Sequence, residues 1–457
     1  MRILVITRIL LTLVGIVIIV PLQTAGARQI GEKHYTNQYE EKLSTSTTKV
    51  QCEKLEKEAS LGPINRNRDE RLSECIIATR RLSKKGTQGD SPKELAPSKR
   101  NDNPAVWKSE SLHLLGIGLG VGDVTGDGKN DLVVIDPSTV HLFSYVNGQL
   151  SSLCEYSNRP LELKSVDVAT MRKGGPCRIY VTAQNRATIA SFVLEYRGGK
   201  LVPVIDGLQY YLRVIIYPTK GPILLGQRRG INSVYEGFIQ RLEDKGNSIA
   251  DLGRFGVPQK IPIFGFAIGD FEGKQRPLIA VYDRDDYIRI YDPKGRRIYK
   301  SLQHFGGSDV ILRLEGIEDR SKYGADIPDP LAEPREYCRA RIMSLDLDSD
   351  GRYEILATKH VSATRRMLDR TKMLQEGQVV SLKWNGDVLV TQWKTPKVRG
   401  MVTDFTVATL PGLLGRRLIT LEREKTDWLS FLSSRSRVRA YDLDKLIREG
   451  LRSSREN

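Results

Sequence analysis

Histidine and cysteine are scarce, five of each in 457 residues. So few soft ligands leave little from which to build a transition-metal or redox centre. The signatures of the common zincin, serine-hydrolase and thioredoxin chemistries are missing as well, since no HExxH, GxSxG or CxxC occurs. Glycine and proline, 40 and 20 residues, are near average, which excludes a collagen-like or broadly low-complexity chain. There is a single long apolar run, at 9–20, which excludes a multispanning helical membrane protein.

Charge is what the chain has in quantity. Charged residues make up 28% of it against 40% hydrophobic, and the net charge is +16, with a pI near 9.5. These proportions describe a basic, globular protein of one or two domains. The start reads as a targeting segment. Arg2 and Arg8 precede the apolar run, then come Pro21 and the small triplet Ala25-Gly26-Ala27, in the order of a secretory signal peptide over 1–27. A spanning helix needs about 20 apolar residues, and Arg8 and Pro21 bound the run short of that. The expected location is therefore extracytoplasmic: periplasmic, peripheral to an outer membrane, or secreted. In such a compartment Cys52 and Cys75 could pair and staple a helical hairpin, Cys154 and Cys177 fall in neighbouring units, and Cys338 is the one left over; all five read equally well as small buried thiols.

Residues 28–105 form a basic segment, partly helical (50–60 and 68–82) or disordered, that ends in a Gly/Ser/Pro-rich linker at 86–104. From Val106 the texture changes to short apolar runs separated by turn residues. These read as strands: DLVVID (131–136), RIYVTA (178–183), PLIAVYD (277–283) and others. The runs recur as strand–turn–strand units. Five of them carry an Asp read as opening the turn, namely Asp123, Asp167, Asp270, Asp346 and Asp404; a sixth, at 212–229, lacks it. A second recurrence is Trp107-Lys108-Ser109, Tyr299-Lys300-Ser301 and Trp393-Lys394-Thr395. If this element is the outermost strand of a unit, its first copy belongs to the last unit, beside 436–443, and closes a ring. The span 106–443 allows about 56 residues for each of six units, slightly more than a typical blade. The excess falls in insertions around 315–336 and 361–376. The expected fold is all-β, a β-propeller of six blades, with seven as the alternative and a basic tail at 444–457.

Two of the turns are spaced as calcium loops. In DVTGDGKND, Asp123, Thr125, Asp127 and Asp131 hold positions 1, 3, 5 and 9, and the Lys129 carbonyl holds position 7. In DLDSDGRYE, Asp346, Asp348, Asp350 and Glu354 hold the same positions, with the Arg352 carbonyl at 7. Calcium takes six to eight hard oxygens, and alternate residues of a tight loop can turn theirs inward. The second loop has four carboxylates to the first loop's three, so tighter binding is expected there. The plain alternative is an Asp/Gly turn, since those residues dominate turns anyway. The turns after Asp167, Asp270 and Asp404 lack the ligand set and are expected to hold by ordinary hydrogen bonds.

These loops resemble the FG-GAP repeats of integrin α-chain propellers and the VCBS-type repeats of bacterial proteins. The runs YYLRV…GPILLGQRRG (210–230), FGFAIGD (264–270), VVSLKWNG (379–386) and VRAYDL (438–443) resemble a bacterial exported subgroup of that kind. The resemblance covers about 106–443 and implies the fold and Ca2+; it implies no activity.

GIGLGVG (116–122) is glycine-rich but leads into strands, so it reads as small residues where inner strands crowd an axis and not as a dinucleotide loop. Arginine pairs at 80–81, 228–229, 296–297, 365–366 and 416–417 read first as solvated surface, and second as a basic face for anionic lipid or lipopolysaccharide. No aromatic-basic platform exists for nucleic acid. The expected function is a binding or scaffold role toward an envelope protein or glycan, with the two insertions as contacts. The alternative is a carbohydrate-active hydrolase or lyase with carboxylates converging at the channel mouth.

Overall fold

The computed structural model describes residues 105–453, apart from 173, 219, 231–232, 236, 260, 315–334, 363–373 and 425–434. The chain divides into Met1–Arg100 and Asn101–Asn457, and all the described residues belong to the second unit. The signal segment, the helices expected at 50–60 and 68–82, the linker, the Cys52–Cys75 pair and most of both insertions lie outside the described residues.

The short strand β1 (Ala105–Lys108) comes first in the chain. A sheet of β2 (Gly118–Gly122), β3 (Asp131–Ile135), β4 (Thr139–Val146) and β5 (Gln149–Ser157) follows. The second sheet is β6 (Glu162–Ala169), β7 (Arg178–Asn185), β9 (Ser191–Arg197) and β10 (Lys200–Leu208), with the two-residue β8 (Thr188–Ile189) beside β7. The third is β11 (Tyr211–Tyr217), β12 (Gly221–Gln227), β13 (Gln240–Asp244) and β14 (Ile249–Arg254). The fourth is β15 (Phe266–Gly269), β16 (Leu278–Tyr282), β17 (Tyr287–Tyr291) and β18 (Arg297–His304). A small hairpin, β19 (Ile311–Arg313) and β20 (Arg335–Tyr337), precedes the fifth sheet. That sheet is β21 (Ile342–Leu345), β22 (Glu354–Ser362), β23 (Leu374–Trp384) and β24 (Leu389–Lys394). The sixth is β25 (Val398–Leu410), β26 (Leu413–Glu424) and β27 (Ser436–Asp442), with β1 as its fourth strand. β25 also pairs β23 through Glu376↔Arg399 and Gly377↔Val398, so the fifth and sixth are hydrogen-bonded into one eight-stranded sheet. All pairings are antiparallel.

Each second strand carries a buried apolar stretch at its centre, because that stretch is covered on both faces. β3 (DLVVI) and β16 (LIAVY) are buried at every position. The buried side chains fall into six clusters, each between consecutive sheets. One joins Ile419 and Val438 of the sixth sheet to Leu119 and Val134 of the first, so the series returns to its start. A ring of face-packed four-stranded sheets is a β-propeller, and it leaves few open sheet edges. The glycines of 116–122 are needed for close approach, as expected. A Cβ on Gly120 would lie 2.4 Å from the Val168 side chain, and one on Gly122 would lie 2.8 Å from Cys177 Sγ.

Closure follows the aromatic triplets. β1 pairs with β27 through Trp107↔Ala440 and Lys108↔Arg439. Trp107 meets the Tyr145 ring edge-on at 4.9 Å. The hydroxyl of each triplet accepts the same kind of bond: Val438 N donates to Ser109 Oγ at 3.0 Å, Ile288 N to Ser301 Oγ at 2.9 Å, and Val379 N to Thr395 Oγ1 at 3.0 Å. In each sheet the hydroxyl takes over a ladder hydrogen bond from the neighbouring strand, which accounts for Ser or Thr at that position.

Most of the basic C-terminal tail is a helix, α1 (Leu443–Ser453). Asp442 accepts from Lys445 N at 2.9 Å as its cap, and Leu443 and Leu446 are buried in the core between the fifth and sixth sheets. Arg and Lys on its outer face disguised a short amphipathic helix as a charged tail.

His141 on β4 is bonded on both sides, Nε2 to Asp136 Oδ2 and Nδ1 to Glu155 Oε1, each at 2.9 Å. Burial pulls the imidazole down, but Asp136 and Glu155 outweigh it and hold its pKa above the usual 6.5. A raised folded-state pKa gives stability that is fully present below the unfolded value and is lost as pH rises through the folded one. The melting temperature is therefore expected to fall as pH rises above the usual histidine value, and His141→Gln to flatten that fall. An identical pH slope in the variant would show that His141 contributes nothing.

Candidate functional site

The two acidic loops connect the first and second strands of their sheets, β2 to β3 and β21 to β22. In the first loop the carboxylates turn to the loop's own donors. Asp123 accepts from Gly126 N at 2.7 Å and Gly128 N at 3.0 Å, and Asp127 accepts from Lys129 N at 2.9 Å. Asp131 is buried, and its Oδ2 accepts from Val124 N, Thr125 N and Thr125 Oγ1 at 2.9–3.0 Å. Burial pushes the Asp131 carboxyl above its usual pKa. Gly128 takes φ +82°, the sharp turn that position 6 requires.

In the second loop the carboxylates converge. Asp346, Asp348 and Glu354 each place an oxygen within 4.8 Å of the others, the one such acidic group among the described residues. Asp346 Oδ2 accepts from Gly351 N at 3.1 Å, but its Oδ1 is buried and has no hydrogen-bond donor. A buried carboxylate oxygen without a donor is costly unless a cation faces it. On donor chemistry the residues fit a hard cation, with Asp346, Asp348, Asp350, Glu354 and the Arg352 carbonyl to hold it.

One residue of this site was not anticipated. Lys383, on β23, places Nζ 3.1 Å from Asp348 Oδ2, 2.6 Å from Asp350 Oδ2 and 3.0 Å from Glu354 Oε1. Burial works against the ammonium, but its bonds to Asp350, Glu354 and Asp348 outweigh that and raise its pKa. The lysine thus occupies part of the space that a divalent cation would share. Its place follows from strand register. Ile355 faces Leu382 across β22–β23, so the residue before Ile355 and the one after Leu382 are cross-strand neighbours.

The other Asp residues divide in a way the repeat alignment missed. Asp270 opens its turn as expected, accepting from Lys274 N and Gln275 N. Asp167 and Asp404 are not turn residues. Asp167 lies within β6, where Ala169↔Arg178 matches Gly122↔Asp131 of the first sheet, and Asp404 lies well inside β25. The apolar flanks of Asp167 and Asp404 mimic a strand end, and the alignment slipped accordingly.

Both side chains face the axis, where Arg341 joins them. Arg341 Nε and Nη2 contact Asp404 Oδ1 and Oδ2 at 2.6 and 2.9 Å, and Nη1 contacts Asp167 Oδ1 at 2.7 Å. Its Nη2 also donates to the carbonyls of Val166 and Leu119, at 3.0 and 3.2 Å. The two Asp also reach sideways: Asp404 Oδ2 accepts from Leu119 N at 2.9 Å and Asp167 Oδ2 from Val214 N at 2.8 Å. One guanidinium therefore ties the sixth, first and second sheets, and the second Asp reaches the third. Beside this network lies a cavity of about 170 Å³, lined by the first strands of all six sheets and by Arg213, Arg341, Ser344 and Thr406.

The described arginine pairs are largely used within the fold. Arg417 is buried against Asp442 at 2.8 Å, Arg416 donates to Leu347 O, Arg228 donates to Tyr210 Oη, and Arg229 donates to Ala187 O. Cys154, Cys177 and Cys338 are free thiols, and burial pushes the Cys338 thiol up to about 12.

No protein-family model matches the chain, and no curated protein does. Among solved structures, it is similar to BBS1N in complex with ARL6DN (13% identity, 74% of this chain and 98% of that one, TM-score 0.39). It is also similar to Saccharomyces cerevisiae Sqt1 (10% identity, 74% and 99%, TM-score 0.33) and to the exotype rhamnogalacturonan lyase YesX (11% identity, 70% and 60%, TM-score 0.34). At these scores the likeness carries no argument about site or activity.

Proposed function

We propose that this chain is an exported, calcium-stabilised propeller of the FG-GAP/VCBS type that works by binding, as a scaffold for a protein or glycan of the bacterial envelope. The observation that favours binding over catalysis is the fate of the two axial carboxylates. A glycosidase or lyase needs one carboxyl free to give up or take a proton. Asp167 and Asp404 are instead committed to Arg341 and to the backbone amides of Val214 and Leu119. Rigid sheets with loops at both ends of the ring are a platform on which loops can recognise a partner. Arginines on the outer surface, such as Arg296 (side chain 76% exposed), could add attraction to anionic lipid or lipopolysaccharide.

Calcium is the part most directly tested. Calcium at a hundredfold excess over its dissociation constant is expected to raise the melting temperature by about 3–6 °C. The pair Asp127→Ala and Asp350→Ala should remove most of that rise. Lys383→Met should enlarge it, because no tethered ammonium then competes for the second loop. A melt unchanged by calcium and by chelator in all three proteins would exclude a calcium role. Retention of one defined envelope protein or glycan on the mature chain with calcium, and its release by chelator, would support the scaffold reading.

A further inference from the structure

The axial quartet of two arginines and two aspartates is balanced in charge but not in hydrogen bonds. Arg341 takes nearly every acceptor. Asp404 receives Arg341 twice, Leu119 N, and its own neighbour Phe405 N. Asp167 gives Oδ2 to Val214 N and Oδ1 to Arg341. Arg213, on β11, is left with a single contact, Nη1 to Asp167 Oδ1 at 3.4 Å, on an oxygen that Arg341 already holds at 2.7 Å. Its side chain is only 9% exposed, and it lines the cavity. Burial first, and then the charge of Arg341, depress its pKa. A guanidinium has five donors, and those of Arg213 that Asp167 does not engage are turned to the cavity.

We propose that the axial cavity is a binding site for a small monocarboxylate with a short apolar body, held by Arg213. The geometry selects this class in three ways. A carboxylate matches the guanidinium fork in two parallel hydrogen bonds. Because the quartet is already neutral, a dianion such as phosphate would add two charges beside Asp167 and Asp404, whereas a monocarboxylate adds one and can take the donors that Arg213 leaves unused. The rest of the wall is mixed, with the apolar Ile216, Phe266, Met343 and Val407 beside Ser344 and Thr406, and a volume of about 170 Å³ is of the size that admits a six-membered ring. This site goes beyond the calcium and scaffold reading and does not rest on it.

Benzoate is the probe, titrated calorimetrically into the mature full-length protein in chelator, with benzyl alcohol as the neutral isostere. Benzoate should bind one to one, with benzyl alcohol weaker by roughly tenfold or more, as expected for loss of a charged hydrogen-bond pair. Arg213→Met should weaken benzoate by a similar factor, and Arg213→Lys should retain part of it. Absence of benzoate binding up to about 10 mM would overturn the proposal and leave water as the cavity's occupant. Equal binding of benzoate and benzyl alcohol would overturn it too, and that comparison needs no variant to fold.

Discussion

Arg341→Met is expected to destabilise the folded protein by about 3–5 kcal/mol, the loss typical when one partner of a buried ion pair is removed. Burial opposes the Arg341 charge, but Asp404 and Asp167 outweigh it and hold its pKa above the usual value. Met fills similar volume and takes away the charge, so both aspartates stay buried with their largest partner gone. The cause can be isolated. Adding Asp167→Asn and Asp404→Asn to Arg341→Met removes the stranded charges and should recover much of the loss, since replacing a whole buried ionic group is often close to neutral. Denaturant melts of the unsubstituted protein, the single variant and the triple variant give the comparison. A triple variant as unstable as the single one would mean that packing, and not the unpaired carboxylates, sets the cost.

Removing Ala105–Lys108 is expected to have the second large effect, about 3–5 kcal/mol if each lost ladder bond contributes ~1 kcal/mol and the aromatic contact about as much. The strand lies at one end of the described chain yet completes the last sheet: β1 pairs β27, Ser109 N donates to Val438 O at 2.8 Å, and Trp107 Nε1 donates to Gly148 O at 2.5 Å. Without it β27 becomes an exposed edge, a template for pairing with other chains. Truncation to begin at Ser109 should therefore lower the melting temperature and promote self-association. A chain beginning at residue 101 should show neither change. If both truncations melt alike and stay monomeric, the closing strand is dispensable.

Much of the fold was legible because propeller sheets leave local marks. The second strands are covered on both faces at their centres and show there as short apolar runs. The turn after Asp123, Asp270 or Asp346 must be tight, and a Ser or Thr hydroxyl is required where Ser109, Ser301 and Thr395 sit. Even closure could be read, because the first copy of the aromatic triplet, at Trp107, had no unit of its own. The slip at Asp167 and Asp404 has an equally physical origin. An aspartate inside an inner strand is flanked by the same apolar residues as one ending it, and only the pairing of Ala169 with Arg178 shows the difference.

The sequence by itself determined what depends on neighbours along the chain: strand length, turn shape, the acidic spacing of 123–131 and 346–354, and the repeat that makes sheets. Tertiary structure alone decided what depends on neighbours across the ring. Arg341 meets Asp404 and Asp167 from 63 and 174 residues away, and Arg213 is left facing the cavity. Lys383 enters the second acidic loop only through the register of β22 on β23. Charges that read in the sequence as solvated surface become structural when a closed ring takes water away from them. Burial then makes each ion depend on whichever opposite charge the geometry supplies.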